Sequence, residues 1–345
     1  MFKIFFKDVG QGDSIILEWR DGDQNKIGFI DCNLKKNSEN PSLNHLIKSD
    51  FKEIEFIILS HPHRDHFAGM KQLLEYCALS NIHINSFCHT SFQDFKYLKS
   101  SVVGVTMTQE LGQLFKTIKS LTYDSKLIRA EKYIMRGCNP IAISSDIKLQ
   151  FLLPTEDEYN KFQKRAYIDA DEDQYSSSVG NWLSTFIKIE SNEWYILLSS
   201  DCEAGSIKKL GYDHDNEDHR HFKGNLILAQ SPHHGSKKNH VKIFWRNRYH
   251  PKNTPIVFSV GENIYGHPST EVVKNFRQSG YEIFSTNYTG GLMESVSTST
   301  PSANNKIRGL RVIGRKVTDS MLNSKLSGEK IFELASNKVD YKSIK

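Results

Sequence analysis

The stretch Ser60-His61-Pro62-His63-Arg64-Asp65-His66 sets three imidazoles and a carboxylate within six residues, directly after the apolar run Phe56-Ile57-Ile58-Leu59. A short unbroken apolar run of this kind reads as a buried strand. A strand that ends in a tight loop can aim several side chains at one point. Imidazole suits zinc and similar divalent ions, and a hard carboxylate also suits manganese or iron. One histidine alone is more often solvated or hydrogen-bonded in a core. Four donors at this spacing, straight after a strand, read as a metal motif.

At 345 residues the chain is long enough for one large domain or two ordinary ones. A hydrophobic content of 38% with 25% charged residues is that of a globular protein. No apolar run approaches the roughly 18 residues that a membrane-spanning helix needs, so no membrane partner is expected. Met1-Phe2-Lys3-Ile4-Phe5-Phe6-Lys7-Asp8 alternates like a strand and lacks the apolar core and small-residue site of a signal peptide. Cys32, Cys77, Cys88, Cys138 and Cys202 are odd in number and scattered, which is not a disulfide framework. A cytoplasmic setting is the expectation.

The net charge is only +5, but it is unevenly placed. Residues 306–345 hold ten Lys/Arg against four Asp/Glu. Residues 237–252 hold six Lys/Arg and no acid, interleaved with Phe244, Trp245 and Tyr249. Basic residues among aromatics fit a phosphate-rich partner such as single-stranded nucleic acid. A solvated helix face over a few core aromatics fits them equally well.

Strand-like segments fill residues 2–7, 14–19, 26–31 and 55–59, and again 147–153, 182–189, 194–199, 225–229, 256–260, 281–285 and 292–296. Met70, Leu73, Leu74 and Cys77 recur at helical spacing and predict an amphipathic helix packed on a sheet. Residues 92–121 read as helical, within an insertion or lid at 85–145. Residues 169–178 read as an acidic loop, and 295–305 as a linker. The organisation expected is a domain over 1–300 followed by a basic extension over 301–345. Strands, covering helices and ligands at strand ends in both halves point to an α/β fold. The form expected is an αββα sandwich of two mixed β-sheets, with the site where the sheets' open edges meet.

Further donors follow the same strand-end logic. Trp194-Tyr195-Ile196-Leu197-Leu198-Ser199-Ser200-Asp201 is a buried-strand pattern ending on a carboxylate, suited to bridging two metals, though helix N-caps also use such a residue. Leu226-Ile227-Leu228-Ala229 leads to Gln230-Ser231-Pro232-His233-His234-Gly235-Ser236, where either histidine could complete a metal site and the other touch substrate or a ligand. His267 precedes a helix whose expected cap is Ser269, a position that suits a phosphate or a general acid. The polar run 213–221 is rich in ligand types but follows no strand, and reads as an exposed connection. Cys202 reads as a small core residue.

Together these residues resemble the metallo-β-lactamase fold superfamily, and within it the hydrolase domain of ComEC-type competence proteins and their soluble relatives. The resemblance rests on Asp8-Val9-Gly10-Gln11-Gly12-Asp13-Ser14, Ile30-Asp31-Cys32, the 60–66 motif with Gly69, Leu198-Ser199-Ser200-Asp201, His233-His234-Gly235-Ser236 and Tyr265-Gly266-His267-Pro268. It spans residues 3 to about 295. It implies two divalent ions, Zn²⁺ or Mn²⁺. His61 and His63 would hold one, Asp65 and His66 the other, and Asp201 would bridge. His233 or His234 would complete the second site; His233 is taken as the ligand and His234 as a catalytic group. Many members carry a further histidine before the bridging aspartate. Only His83 and His89 lie in that interval, too early, so Asn181 or Ser184 is expected in its place.

The resemblance further implies hydrolysis by a hydroxide bridging the two ions, oriented by Asp65, with His267 or the spare histidine stabilising the leaving oxygen. Substrate contacts are expected from Asn181, Ser184, Ser236, Lys237, Lys238 and Tyr265. The leading expectation is a phosphodiesterase acting on nucleic acid. Hydrolysis of a small ester (a phosphorylcholine-type diester, a thioester or a lactone) is the alternative enzyme. A binding module that keeps the fold without turnover is the alternative outside catalysis.

Overall fold

The computed structural model describes residues 2–90, 105–167, 179–215, 222–293, 325–335 and 338–342. Its strands in the first half are β1 (Phe2–Phe6), β2 (Ile15–Asp21), β3 (Gln24–Ile30), β4 (Glu53–Ile54), β5 (Phe56–Leu59), β6 (His83–Ile84), β7 (Phe87–His89), β8 (Glu131–Tyr133) and β9 (Ile141–Ala142). Then come β10 (Lys148–Leu153), β11 (Phe186–Glu190), β12 (Trp194–Leu198), β13 (Asn225–Gln230), β14 (Thr254–Phe258), β15 (Tyr281–Ser285), β16 (Lys330–Ala335) and β17 (Lys338–Lys342). The helices are α1 (Pro41–Ile47), α2 (Arg64–Phe67), α3 (Met70–Leu79), α4 (Val105–Lys119), α5 (Glu156–Tyr167), α6 (Ala204–Asp215), α7 (Lys242–Arg246) and α8 (Thr270–Gln278).

Two mixed sheets are built from these strands. One runs β17-β16-β1-β2-β3-β5-β7-β8 and the other β15-β14-β13-β12-β11-β10-β9, while β4 and β6 form a separate pair. Period-two burial assigns each strand two partners. Ile15, Leu17 and Trp19 of β2 and Phe56 and Ile58 of β5 meet Ile187, Ile189, Trp194, Ile196 and Leu198 of the other sheet in a central core. The alternate residues Ile16, Ile57 and Leu59 face outward onto Met70, Leu73, Leu74 and Leu111 of the helices. On the other outer side Tyr195, Leu197 and Phe258 meet Ile207, Phe244, Trp245, Val273 and Phe276. The result is the αββα sandwich. Each buried Leu, Ile or Phe side chain contributes about 1.5–3 kcal/mol, so these three layers fix which sheet edges lie side by side.

Strand direction then places the chemistry. β3 runs parallel to β5, and β12, β13 and β14 run parallel to one another. The segments leaving β3, β5, β12, β13 and β14 therefore carry Asp31, His61, Asp201, His233 and His267 to the same end of the molecule. A 2.8 Å contact between the hydroxyls of Ser60 and Ser200 ties the two sheets together there.

Several expectations need correction. In the described part of the stretch 85–145, expected as an insertion or lid, β7 and β8 extend the first sheet in parallel from β5. Helix α4 and a π turn over Ser120–Asp124 account for the described part of the helical stretch. Beyond residue 301, β16 pairs antiparallel with β1, so part of the expected extension belongs to the sandwich. The strand expected at 292–296 is a helical turn over residues 291–293 in its described part. Gly291 permits the close approach of this turn to the start of α8: a Cβ there would lie 2.1 Å from the backbone nitrogen of Thr270. Ser269 does sit at the start of α8, but its side chain makes no capping hydrogen bond. The loop expected at 169–178 and the linker at 295–305 lie outside the described residues, as does most of the 213–221 run. Among the described residues no helix is long and apolar enough to cross a membrane.

Candidate metal centre

The residues leaving β5 turn at once into the short helix α2, so His61, His63, Asp65 and His66 point inward from a single turn and a half. Backbone hydrogen bonds hold this turn against the loop after β3: Cys32 N donates to His66 O at 2.8 Å and Gly69 N to Cys32 O at 2.7 Å. The loop before β2 adds a third support, Asp13 N to Asp65 O at 3.0 Å. Opposite them, Ser200, His233 and His234 all adopt positive φ, at 42°, 46° and 55°, and Asp31 does so at 58°. Such backbone costs of order 1–3 kcal/mol per non-glycine residue and persists only where the surroundings enforce it. Four instances around one cleft turn these side chains toward a common centre.

The tautomers of the rings follow from their outer partners. His66 donates from Nδ1 to Asp31 Oδ2 at 2.7 Å, and Asp31 also accepts from the backbone and hydroxyl of Ser60. His234 donates from Nδ1 to the carbonyl of Ser259 at 2.6 Å. His61 places Nδ1 at 3.2 Å from the hydroxyls of Ser60 and Ser200. With Nδ1 engaged on the outer side, each ring turns Nε2 into the cleft, where on His66 and His234 a cation would take the place of the proton. The Nε2 atoms of His61, His63, His66 and His234 and Oδ1 of Asp201 are buried and have no hydrogen-bond partner among the described residues.

These orphaned donors fit a cation. Bonds of about 2.0–2.1 Å to a tetrahedral ion put neighbouring ligand atoms about 3.4 Å apart. His234 Nε2 lies 3.3 Å from Asp65 Oδ2 and 3.4 Å from Asp201 Oδ1, and His66 Nε2 lies 3.6 Å from Asp201 Oδ1. Asp65, His66, Asp201 and His234 thus form one set with all donor atoms within 4.8 Å, and His61, His63 and Asp201 form another. Asp201 belongs to both. Of the histidine pair, His234 joins the Asp65–His66 set, whereas His233 Nε2 lies 3.5 Å from the other oxygen of Asp201, Oδ2.

Electrostatics agree with the geometry. Burial opposes a charge on His66, yet Asp31, Asp65 and Asp201 hold it well above the usual histidine range. His234 is likewise pushed up to about 9, against burial, by Asp201 and Asp65. Burial would raise Asp201, but His233, His234 and His66 keep it well below the usual carboxylate range. His61 moves the other way, pushed well down by burial and by its neighbours His66 and His63. The carboxylate side of the cleft attracts positive charge, and a divalent cation would displace the protons held there.

The remaining expected residues ring this centre. His267 is half-buried, with its ring 5.8 Å from that of His233 and 5.8 Å from that of Tyr265. Burial first, then His233 and His234, push His267 down to about 4, so its ring is neutral at pH 7. Tyr265 is 69% exposed on a loop that Asn263 braces by accepting from the backbone N–H groups of Tyr265 and His267. Asn181 and Ser184 are buried beside the start of β11, and their side-chain oxygens have no partner among the described residues. Ser236 is buried, Lys238 is exposed, and Lys237 is paired with Glu271 at 2.6 Å. Phe244 and Trp245, expected as aromatics among basic residues, are 2% and 1% exposed and belong to the outer core; Tyr249 is exposed. Cys202 is buried there too, as expected.

Local sequence marks the supports unevenly. Asp31 was legible as a strand-end carboxylate, the same signal that marks Asp201. Gln230 was not. Its side-chain oxygen accepts from the N–H groups of Ser199 and Ser200, at 3.2 and 3.3 Å, and its nitrogen donates to Asp13 Oδ2 at 2.8 Å. No local pattern distinguishes such a glutamine from any other at the end of a strand.

Protein-family models give no match to this chain, and neither do curated protein sequences. Among solved structures it is similar to the metallo-β-lactamase fold protein YhfI from Bacillus subtilis, with 12% identity over 82% of this chain and 96% of that one, at a TM-score of 0.41. It is similar to Zn²⁺-bound PqqB from Methylobacterium extorquens, with 8% identity over 82% and 97% of the two chains, at a TM-score of 0.44. A diphosphatase of the PhnP family shows 10% identity over 81% and 94%, at a TM-score of 0.39. At these values the likeness is a loose one of chain course, and the chemistry rests on the side chains described above.

Proposed function

We propose that the protein is a metal-dependent hydrolase of phosphodiesters, a ComEC-like nuclease in its substrate class. The observation that carries this reading is the pair of donor sets sharing Asp201. His61 and His63 would serve one ion, Asp65, His66 and His234 the other, with Asp201 between them. Bound there, two divalent ions would supply Lewis acidity and a water of lowered pKa.

The chain's own groups do the rest. Asp31 and Ser259 fix the rings of His66 and His234 so that neither can swing out. The side chain of Asp65 is 35% exposed, whereas that of Asp201 is 4% exposed, so Asp65 is the carboxylate placed to accept a hydrogen bond from the attacking water. His267, neutral at pH 7, would donate an N–H to the leaving oxygen rather than a proton from a cation. Lys237 and Lys238 follow the histidine turn directly and would bind flanking phosphates, with the Lys237–Glu271 pair opening as they do. Tyr265 offers an exposed ring for an unpaired base.

The test combines metal analysis of the purified protein with cleavage of labelled single- and double-stranded DNA and RNA in added Zn²⁺ or Mn²⁺. Asp65→Ala combined with His66→Ala should reduce cleavage by roughly 10²-fold or more, since even outer supports of ligands are worth 10- to 100-fold. Nucleic-acid affinity should fall steeply with salt, and less steeply after Lys237→Ala with Lys238→Ala. Bound metal with hydrolysis of small diesters only would move the substrate to the small-ester class. A protein that takes up no divalent ion is not this enzyme.

A further inference from the structure

We propose that His233 is a ligand of the first ion, alongside His61, His63 and Asp201, so that two consecutive histidines serve two different ions. The inference rests on the dinuclear centre proposed above and goes beyond it, because that centre leaves the first set one ligand short and His233 without a role.

Asp201 divides the cleft. Its Oδ1 faces His66 Nε2 at 3.6 Å and His234 Nε2 at 3.4 Å. Its Oδ2 faces His61 Nε2 at 3.8 Å and His233 Nε2 at 3.5 Å. Both pairs fall near the edge of about 3.4 Å expected between neighbouring ligands of one small ion. The Asp65–His66–His234 side has three donors besides the shared Asp201, and a catalytic ion keeps a further position for water. The His61–His63 side has two besides it. No histidine from the interval between the two motifs fills the gap among the described residues: His83 lies in β6, and His89 in β7 is held to Glu131 at 2.8 Å.

The backbone is shaped for this division of labour. His233 and His234 both adopt the left-handed conformation, which few non-glycine residues occupy even singly. The turn is locked by His233 N donating to the carbonyl of Ser200 at 2.8 Å, one residue before the bridging carboxylate. Two successive left-handed residues splay the side chains, and the rings lie 88° apart with centroids separated by 6.0 Å. One ring therefore faces each oxygen of Asp201, and His233 Nε2, which stands outside the 4.8 Å set of His61, His63 and Asp201, would close on the first ion as it binds. His233 differs from His234 in that its Nδ1 has no hydrogen-bond partner among the described residues, and its side chain is 25% exposed. A ligand without that outer support binds more weakly, so the first ion should be the more readily lost.

The experiment is metal binding rather than turnover. The wild-type protein, His233→Asn and His234→Asn would be stripped, titrated with Mn²⁺ by calorimetry, and assayed for bound metal and for spin coupling between paired Mn²⁺ ions. Asparagine tolerates the left-handed backbone, so the turn survives, and circular dichroism checks the fold. The wild type should bind two equivalents with a coupled spectrum. His233→Asn should keep one tight equivalent, weaken the other at least tenfold and lose the coupling. His234→Asn should instead weaken the tighter equivalent. Two unchanged equivalents in His233→Asn would overturn the assignment while leaving the dinuclear centre standing. A wild type that binds none would overturn both.

Discussion

His240 lies just beyond the metal turn, half-buried, and both of its ring nitrogens lack a hydrogen-bond partner among the described residues. Its ring packs edge-on against Phe276 of α8, with centroids 4.8 Å apart. Burial is the main cause that pushes it down to about 4; Lys242 adds to the shift and Glu271 opposes it. The unfolded chain, with a histidine near its ordinary value of about 6.5, therefore holds more protons than the folded one between pH 4 and 6.5. Stability rises with pH across that window, is complete above it, and is lost as pH falls through it. A shift of this size corresponds to about 3 kcal/mol. His240→Phe keeps the ring contact and removes the titration. Its urea stability should vary less steeply than that of the wild type from pH 6.5 down to 4. Parallel pH profiles for the two proteins would show that His240 is not what senses acid here.

The loop between β1 and β2 is the element on which the metal turn leans. Gly12 has φ of +129°, and a Cβ there would come within 2.3 Å of both the Asp65 carbonyl and the Asn33 side-chain nitrogen. Neither neighbour can retreat freely, since Asn33 Nδ2 is bound to Gln11 O at 2.8 Å and the Asp65 carbonyl accepts from Asp13. Gly12→Ala should therefore cost roughly 2–4 kcal/mol and displace Asp65. Thermal melts and metal titration together would reveal it, and an unchanged melting temperature would mean the loop yields. This dependence explains what could be read from the chain beforehand. Strand-ending donors such as His61, Asp201 and His233 were legible because an apolar run and a ligand-rich turn are both local patterns. The paired glycines of the 9–13 loop signalled unusual backbone, but not that they clear room for Asp65, which lies more than fifty residues away. The helical face Met70, Leu73, Leu74 and Cys77 was legible by its period. The three-residue strands β7 and β8 were not, since parallel pairing of Phe87 with Glu131 leaves no periodic trace in so few residues. The division between His233 and His234 depends on two φ angles, which no spacing encodes.

At the scale of the whole molecule, the described part of the basic C-terminal stretch closes the first sheet. Strand β16 lies between β17 and β1, in register from Phe2 with Leu334 to Phe6 with Lys330. Phe332 is fully buried and touches both layers: its ring lies 6.0 Å from Phe6 of the first sheet and 5.3 Å from Phe284 of the second. Lys7, itself buried, reaches the same segment through an ion pair with Glu329 at 2.7 Å. The segment's charges thus flank a strand whose apolar residues complete the central core, so its first role is to hold the sandwich shut. Phe332→Ala should cost about 3–5 kcal/mol, the usual range for deleting a buried aromatic ring. It should also leave the metal-binding stoichiometry intact under native conditions, because Phe332 belongs to the core and not to the ligand cluster. Urea unfolding followed by tryptophan fluorescence measures the first quantity and metal analysis the second. A loss of stability under about 1 kcal/mol, the middle of the range for ordinary substitutions, would mean that the β16–β17 pair is held only loosely on β1. The basic stretch would then be free to act as the phosphate-binding tail that its charge suggests.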